Sequence, residues 1–178
     1  ALLGLSMFHQ SVVGDNEERL AEAIQTALGR SDVVILSGGL GPTKDDLTKE
    51  AAAKVMEMPL KEDKHTRKLI AEYFKNSGIK TVTENNWKQA QVPEGGIVVD
   101  NDNGTAPGLI LEKDGKSVIL LPGPPNEMQP MFAKSIFPYL NKLQPEMICS
   151  CMVTICGLGE SYGETQSADL IEKQTNPT

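Results

Sequence analysis

The chain has 178 residues, enough for one substantial hydrophobic core or for one domain with a small appendage. Its 17 Lys and Arg residues are outnumbered by 24 Asp and Glu residues, and the net charge of −7 disfavours general binding to nucleic acids and to anionic membranes. Aromatic residues make up only 4% of the chain, so a surface that stacks bases is not expected, and the longest apolar runs are too short to cross a bilayer.

The two ends of the chain indicate a fragment, and its cysteines indicate a cytoplasmic protein. Residues 1–4 lack an initiator Met and the basic start of a signal peptide, and they resemble the end of a helix closed by a glycine. We therefore expect a fragment of a longer protein. The cysteines are odd in number and clustered, which is not typical of a disulfide framework, so a reducing compartment is the default. They are Cys149, Cys151 and Cys156.

The first half of the chain predicts alternating strands and helices. Residues 5–13 alternate loosely between apolar and polar and predict a strand. Asp15 with Glu18 three residues later is typical of a capping box, at the start of a helix that ends at Gly29. The apolar run 32–36 predicts a central parallel strand buried on both faces. Further helices are predicted over residues 47–56, 62–76 and 83–90.

The second half predicts a hairpin inside the same alternating pattern. A short strand over 97–99 leads into the turn-rich loop 101–108. Strands over 109–112 and 117–121 are joined by a strong hairpin signal, and a helix over 126–139 follows a Pro-Gly-Pro-Pro break. This order predicts an α/β fold with a three-layer, doubly wound and mostly parallel sheet, with one antiparallel excursion at the hairpin.

After Pro145 the pattern changes to a strand over 147–155 and a helix over 160–173, which is typical of the start of a small α+β domain. The sequence thus predicts two domains, over residues 1–143 and 146–178.

A glycine-rich run between the strand 32–36 and the next helix is the main candidate site. Gly38, Gly39 and Gly41 would let backbone amides approach a phosphate at a helix N-terminus. Thr43, Lys44, Asp45 and Asp46 follow at once, and Lys44 could neutralise charge. Carboxylates share a site with a phosphate only when a cation lies between them, so the run predicts a metal-assisted phosphate or pyrophosphate site. Either Asp45 or Asp46 could cap the helix, which leaves the other free to bind metal.

Other polar residues are expected near this site, because ligands of such sheets bind beyond the carboxyl ends of the strands. Asp15 is a second candidate metal ligand, and Glu127 a candidate proton acceptor. Gly123 and Thr105 lie in loops that could contact the substrate. Asn85, Lys88 and Gln89 could share one face of a short helix and contact the adenine or ribose end of a nucleotide.

Six motifs then carry a resemblance. In order and spacing, residues 1–143 resemble the N-terminal domain of the competence/damage-inducible protein A (CinA) family, and the tail resembles the start of the KH-like domain that follows in that family. The motifs comprise residues 13–16, 38–48, 85–90, 92–95, 104–108 and 121–128. The tail matches at 157–161 and 174–178, without a basic Gly-x-x-Gly loop that would indicate RNA binding.

The resemblance implies a molybdopterin-binding-like fold whose first strand precedes Ala1. It implies a homodimer, for which the apolar hairpin after Gly108 also argues. It also implies that the chain hydrolyses the pyrophosphate of an ADP-ribose-like nucleotide with a divalent metal, expected to be Mg²⁺. Similarity to cofactor-biosynthesis proteins favours Asp46 over Asp45 as the functional acid. Two alternatives stay open: molybdopterin binding or adenylylation in molybdenum cofactor biosynthesis, and a non-catalytic assembly module in DNA uptake or repair.

Overall fold

A four-stranded mixed sheet organises the computed structural model, which describes residues 3, 5–78, 81–143, 156–157 and 159–173. The strands are β1 (Val33–Ser37), β2 (Leu60–Glu62), β3 (Gln91–Pro93), β4 (Ile97–Val99), β5 (Gly108–Lys113) and β6 (Lys116–Leu121). The helices are α1 (Glu17–Leu28), α2 (Thr48–Val55), α3 (Lys64–Asn76), α4 (Pro125–Met131), α5 (Phe137–Leu143) and α6 (Glu160–Lys173). A 3₁₀ helix covers Glu84–Ala90, and a π-helical turn, Phe132–Ile136, joins α4 to α5.

The main sheet has the order β1-β6-β5-β4. β1 runs parallel to β6, and β5 runs antiparallel to both of its neighbours. Three of the four strands therefore point the same way, and β5 is the antiparallel excursion that the hairpin signal predicted. Asp114 and Gly115 both have positive φ, 52° and 75°, as a two-residue hairpin turn with the twist of its strands requires.

Alternate side chains of β5 and β6 form two hydrophobic cores, because successive residues of a strand point to opposite faces. Leu109 and Leu120 belong to the core that α1 and α2 cover, and Ile110 and Ile119 belong to the core that α4 and α5 cover. The α/β class with three layers is therefore confirmed. The apolar side chains of the hairpin lie within the chain's own core, so they provide no argument for a dimer, and the homodimer stays a prediction.

The beginning of the chain differs from the prediction. Residues 5–13 form no strand among the described residues, and Val12 is 96% exposed, because no described segment pairs with them. β1 is likewise not central: among the strands that the structure describes it pairs with β6 alone, and Ile35 on it is 46% exposed. The capping prediction for Asp15 was wrong by one residue, since the side chain of Asn16 accepts the amide of Arg19 at 3.0 Å.

Several short elements also depart from expectation. β2 and β3 pair with each other and were not predicted, because three-residue strands give too short an alternating pattern. The predicted helix after Thr83 is a 3₁₀ helix. The predicted helix over 160–173 is confirmed as α6, whereas the predicted strand over 147–155 lies outside the described residues. The division into two domains stays a prediction. Within the described residues, no helix is both long and apolar enough to cross a membrane.

Candidate functional site

Two glycine loops meet where the parallel strands β1 and β6 end. The amide of Gly38 donates to the carbonyl of Leu121 at 2.9 Å, which joins the first residue after β1 to the last residue of β6. A Cβ atom placed on Gly123 would lie 3.5 Å from the Cα of Gly38. Among the described residues, neither the amide of Gly39 nor that of Gly123 has a hydrogen-bond partner. This edge of the sheet therefore presents amides from two loops, and their contact with an anion stays a prediction.

A third loop, residues 100–107, reaches the same edge because β4 points the same way as β6. Glu127, at the start of α4, accepts a hydrogen bond from Nδ2 of Asn101 at 2.7 Å. The same Nδ2 donates to the carbonyl of Ala106 at 2.8 Å, and a Cβ on Gly104 would clash with the Glu127 carboxylate. Glu127 thus braces the loop that carries Thr105. The sequence analysis missed Asn101, whose only signal was its place in a run of turn residues.

The remaining glycines of the first loop have internal packing reasons. Gly39 has a φ of 67°, and a Cβ on it would clash with Oγ1 of Thr48. A Cβ on Gly41 would lie 2.6 Å from Oδ2 of Asp46. Both side chains come from the start of α2 or from the residues just before it. Gly39 and Gly41 are therefore required for packing, and their contact with a substrate stays a prediction.

Asp46 folds back into this loop and accepts hydrogen bonds there. Its Oδ2 accepts from the amide of Thr43 at 2.9 Å and from the hydroxyl of Thr43 at 2.6 Å. Burial alone would raise the pKa of the Asp46 carboxyl, but the hydrogen bonds from Thr43 and the amide of Gly41 outweigh it. The positive charge of Lys88 acts in the same direction, so the pKa of Asp46 lies below its usual value. Asp46 is thus ionised at neutral pH and organises the loop.

The expected helix cap does not form. α2 begins at Thr48 with Leu47 as its N-cap, and among the described residues no side chain caps it. Instead the carbonyl of Gly39 accepts the amide of Thr48 at 3.2 Å. The prediction that Asp45 or Asp46 caps this helix was therefore wrong, because the loop turns Asp46 towards Thr43 and leaves Asp45 exposed.

The 3₁₀ helix corrects the prediction that Asn85, Lys88 and Gln89 share a face. With three residues per turn, positions three apart align and positions four apart do not. Gln89 is only 2% exposed and donates to the carbonyl of Leu40 at 3.3 Å, whereas Asn85 is exposed. Lys88 donates to the carbonyl of Thr43 at 3.1 Å and to that of Asp46. Lys88 and Gln89 hold the glycine loop from behind.

A buried lysine, which the sequence analysis missed, holds the 3₁₀ helix that carries Lys88 and Gln89. Lys49 is 4% exposed, and its Nζ donates to the carbonyl of Lys88 at 2.5 Å. Burial lowers the pKa of Lys49 to about 8, even though the neighbouring Glu50 acts in the opposite direction. Oε2 of Glu50 and Oε1 of Gln89 are buried without a hydrogen-bond partner among the described residues. The interior behind the loop is therefore buried and polar.

Asp15 and Lys44 are not brought into this network. Glu17, two residues after Asp15, pairs with Lys54 at 3.0 Å in the last turn of α2, whereas Asp46 precedes the first turn. Among the described residues, no three His, Cys, Asp or Glu side chains form a group that could hold a metal ion. Lys44 is exposed. The pairing of Asp15 with Asp46 around a metal stays a prediction.

A cleft of about 230 Å³ lies on the other side of the loop 100–107, against α3. Its walls carry carboxylates, amides, hydroxyls and one aromatic ring over an apolar floor. The lining residues are Thr66, Leu69, Ile70, Glu72, Tyr73, Asn76, Asp100, Asn101, Asp102, Gly104, Thr105 and Pro107. Thr105, predicted to contact a substrate, therefore faces a concave surface.

Comparison with known proteins identifies the family. The model of a probable molybdopterin binding domain matches residues 1–142. A solved structure of the protein CinA from Thermoplasma acidophilum is 38% identical with a TM-score of 0.62, and the match covers 71% of this chain and 72% of that one. The chain belongs to the CinA family. The resemblance drawn from the six motifs and the molybdopterin-binding-like fold are both confirmed.

Longer CinA-family relatives match the whole chain. A competence-damage inducible protein of Alkaliphilus oremlandii is 51% identical over all 178 residues, and a CinA-like protein of Kosmotoga olearia is 49% identical over the same length. This chain spans 43% of the length of each of these relatives. Any activity of the whole protein is therefore a matter for proposal.

Proposed function

We propose that this CinA-family chain binds a nucleoside diphosphate sugar such as ADP-ribose and hydrolyses its pyrophosphate with the help of a divalent metal ion. One observation carries the proposal: the unpaired amides of Gly39 and Gly123 lie in two loops that touch at the carboxyl ends of β1 and β6. Amides without hydrogen-bond partners favour an anion, and two adjacent loops suit a group with two phosphates better than a single one. Ligands of parallel sheets bind at this edge.

The side chains around these amides support hydrolysis. Glu127 is held by Asn101 through Oε2, which leaves Oε1 to accept a proton from an attacking water. Lys44 lies exposed on the glycine loop, where it could neutralise phosphate charge. Thr43 and Lys88 shape the loop through their bonds with Asp46, and Thr105 faces the cleft. Asn85 is exposed in the 3₁₀ helix that contains Lys88, where it could contact the nucleotide.

Asp46 fits one part of a metal site. Mg²⁺ is usually held by one or two carboxylates together with substrate phosphates and water, so a larger carboxylate group is not required. The lowered pKa of Asp46 keeps its carboxylate charged at neutral pH, and Asp15 is the expected second ligand. When bound, a divalent ion would neutralise phosphate charge and lower the pKa of a bound water.

A pterin is the second candidate ligand, because the matching family model describes a molybdopterin binding domain. The phosphate of molybdopterin could use the same amides, and adenylylation would place a diphosphate there. The third reading, a non-catalytic assembly module in DNA uptake or repair, predicts that neither ligand binds.

Release of AMP from ADP-ribose tests the proposal. The purified chain should release AMP with Mg²⁺, and EDTA should stop the reaction. The same preparation should be titrated with molybdopterin and with ADP-ribose by calorimetry. If the chain binds ADP-ribose but releases no AMP with any of several metals, it is a binding protein without hydrolase activity. Tight binding of molybdopterin alone would favour the pterin reading, and binding of neither would reject both.

A further inference from the structure

We infer that the cleft between α3 and the loop 100–107 receives the terminal sugar of the nucleoside diphosphate sugar, an inference that rests on the proposed function. The size of the cleft is the first argument. At about 230 Å³ it lies below the roughly 300–1,000 Å³ that sites for whole drug-sized ligands occupy. It is therefore suited to one part of such a ligand.

The polar groups of the cleft indicate which part. Glu72, Asp100 and Asp102 line it, and among the described lining residues none is Lys, Arg or His. A phosphate would be repelled by these carboxylates. Hydroxyl groups donate hydrogen bonds that carboxylates accept, and an acidic side chain is the usual partner of a ribose hydroxyl in nucleotide-binding folds. The apolar floor can pack against the carbon-bound hydrogens of a sugar ring.

The charge balance favours a neutral ligand over a cation. Each of the three carboxylates already has a basic partner that is not among the lining residues. The pairs are Asp102 with Lys134 at 2.6 Å, Asp100 with His65 at 3.0 Å, and Glu72 with Lys68 at 3.8 Å. All three acids keep further lone pairs for hydrogen bonds, because a carboxylate accepts about four. The cleft thus offers acceptors, and two of its three carboxylates are paired with lysines.

The cleft adjoins the predicted diphosphate site through a single loop. Gly104 and Thr105 line the cleft, and Glu127, which is not among the lining residues, lies beside Gly104. Glu127 lies only four residues after Gly123, whose amide is one of the two unpaired amides. The bonds of Asn101 to Ala106 and Glu127 hold this loop in place, so a sugar attached to the diphosphate would meet a preformed wall.

Two tryptophan variants of α3 test the inference. Asn76 lines the cleft and Lys75 does not, and both are exposed in the last turn of the helix. Asn76→Trp should fill the cleft, and Lys75→Trp is the matched control. By calorimetry in EDTA, which prevents hydrolysis of the ligand, we expect Asn76→Trp to weaken ADP-ribose binding at least tenfold, which is about 1.4 kcal/mol, and to change ADP binding less than twofold. The control should change neither.

Glu72→Gln is the second variant, because it removes one acceptor charge without changing the size of the side chain. It should likewise weaken ADP-ribose binding and spare ADP binding. A loss confined to ADP-ribose in either variant supports the inference. If both folded variants bind ADP-ribose like the wild type, or if ADP and ADP-ribose weaken equally, the sugar does not lie in the cleft. A folded wild-type chain that binds neither nucleotide overturns the proposed function, and the sugar assignment with it.

Discussion

The two glycine loops at the end of β1 and β6 use the same residue type for different reasons. In the first loop, Gly39 and Gly41 leave room for the side chains of Thr48 and Asp46, so their missing Cβ atoms serve packing. In the second, Gly123 has only the Cα of Gly38 nearby, at ordinary contact distance. Side chains of the protein therefore occupy the space beside the glycines of the first loop, and the point where the two loops touch is open to a ligand. Substitutions of the packed glycines should change stability, and a substitution of Gly123 should change ligand binding.

The largest expected change in stability is at Gly39, and the neighbouring Gly38 provides the comparison. Both have positive φ, 67° and 91°, but only Gly39 also has a side chain where its Cβ would lie. Gly39→Ala should lower the free energy of unfolding by about 4 kcal/mol, from dihedral strain together with overpacking. Gly38→Ala should cost about 1 kcal/mol from strain alone. Urea denaturation of both variants measures the difference, and equal costs would show that Thr48 can move aside.

The pH dependence of stability tests whether the buried Lys49 side chain is shielded from water. Its pKa of about 8 in the folded chain lies below the 10.5 of a free lysine. Between these values the unfolded chain binds more protons, so stability should rise with pH over this range. Relative to Lys49→Met, the wild type should gain up to about 3 kcal/mol from below pH 8 to pH 10.5.

The control for this measurement is Lys54→Met, at an exposed lysine that pairs with Glu17. Its stability should follow the wild-type pH profile in parallel. If Lys49→Met also runs parallel to the wild type, Lys49 keeps an ordinary pKa and the interior admits water.

Removing the charge of Asp46 should cost more stability than removing that of Asp45, because Asp46 accepts the hydrogen bonds of Thr43. Asp46→Asn removes a charged acceptor from Thr43 and should cost about 2 kcal/mol, whereas Asp45→Asn should stay within about 0.5 kcal/mol. Because the pKa of Asp46 is lowered on folding, its contribution is present above pH 3.8 and is lost as the pH falls through the folded value. The Asp46→Asn variant and the wild type should therefore converge in acid, and a cost that is independent of pH would contradict this account.

Gly123→Ala should have the smallest effect on stability and a clear one on binding. The added methyl group meets the Cα of Gly38 at 3.5 Å, so the free energy of unfolding should change by less than about 0.5 kcal/mol. The methyl group would stand beside the unpaired amides, and ADP-ribose should bind at least tenfold more weakly. Gly29→Ala, at another glycine with ordinary φ, is the control. Unchanged binding in Gly123→Ala would remove the second loop from the site.

Local signals predicted most of the elements because their causes are local. The Asp114-Gly115 turn marks a hairpin through its positive φ angles, and α1 is closed by Gly29, both where the sequence placed them. The π-helical turn between α4 and α5 had no such signal.

Contacts between distant segments decided the rest. Gln89 turns inward because a 3₁₀ helix forms against the glycine loop, which no pattern within residues 83–90 could reveal. Asp46 and Asp45 look alike in sequence, and only the path of the loop directs Asp46 to Thr43. The cleft exists because α3 packs beside a loop some 30 residues later in the chain, so its lining could not be read from either segment.

Amide resonances of the folded chain would test the central claim most directly. We predict that titration with ADP-ribose in EDTA, which prevents its hydrolysis, shifts the amide signals of Gly39 and Gly123 more than those of Gly29 and Gly115, which lie in turns elsewhere. Binding that leaves the signals of Gly39 and Gly123 unchanged while shifting others would contradict the assignment of this edge as the diphosphate site.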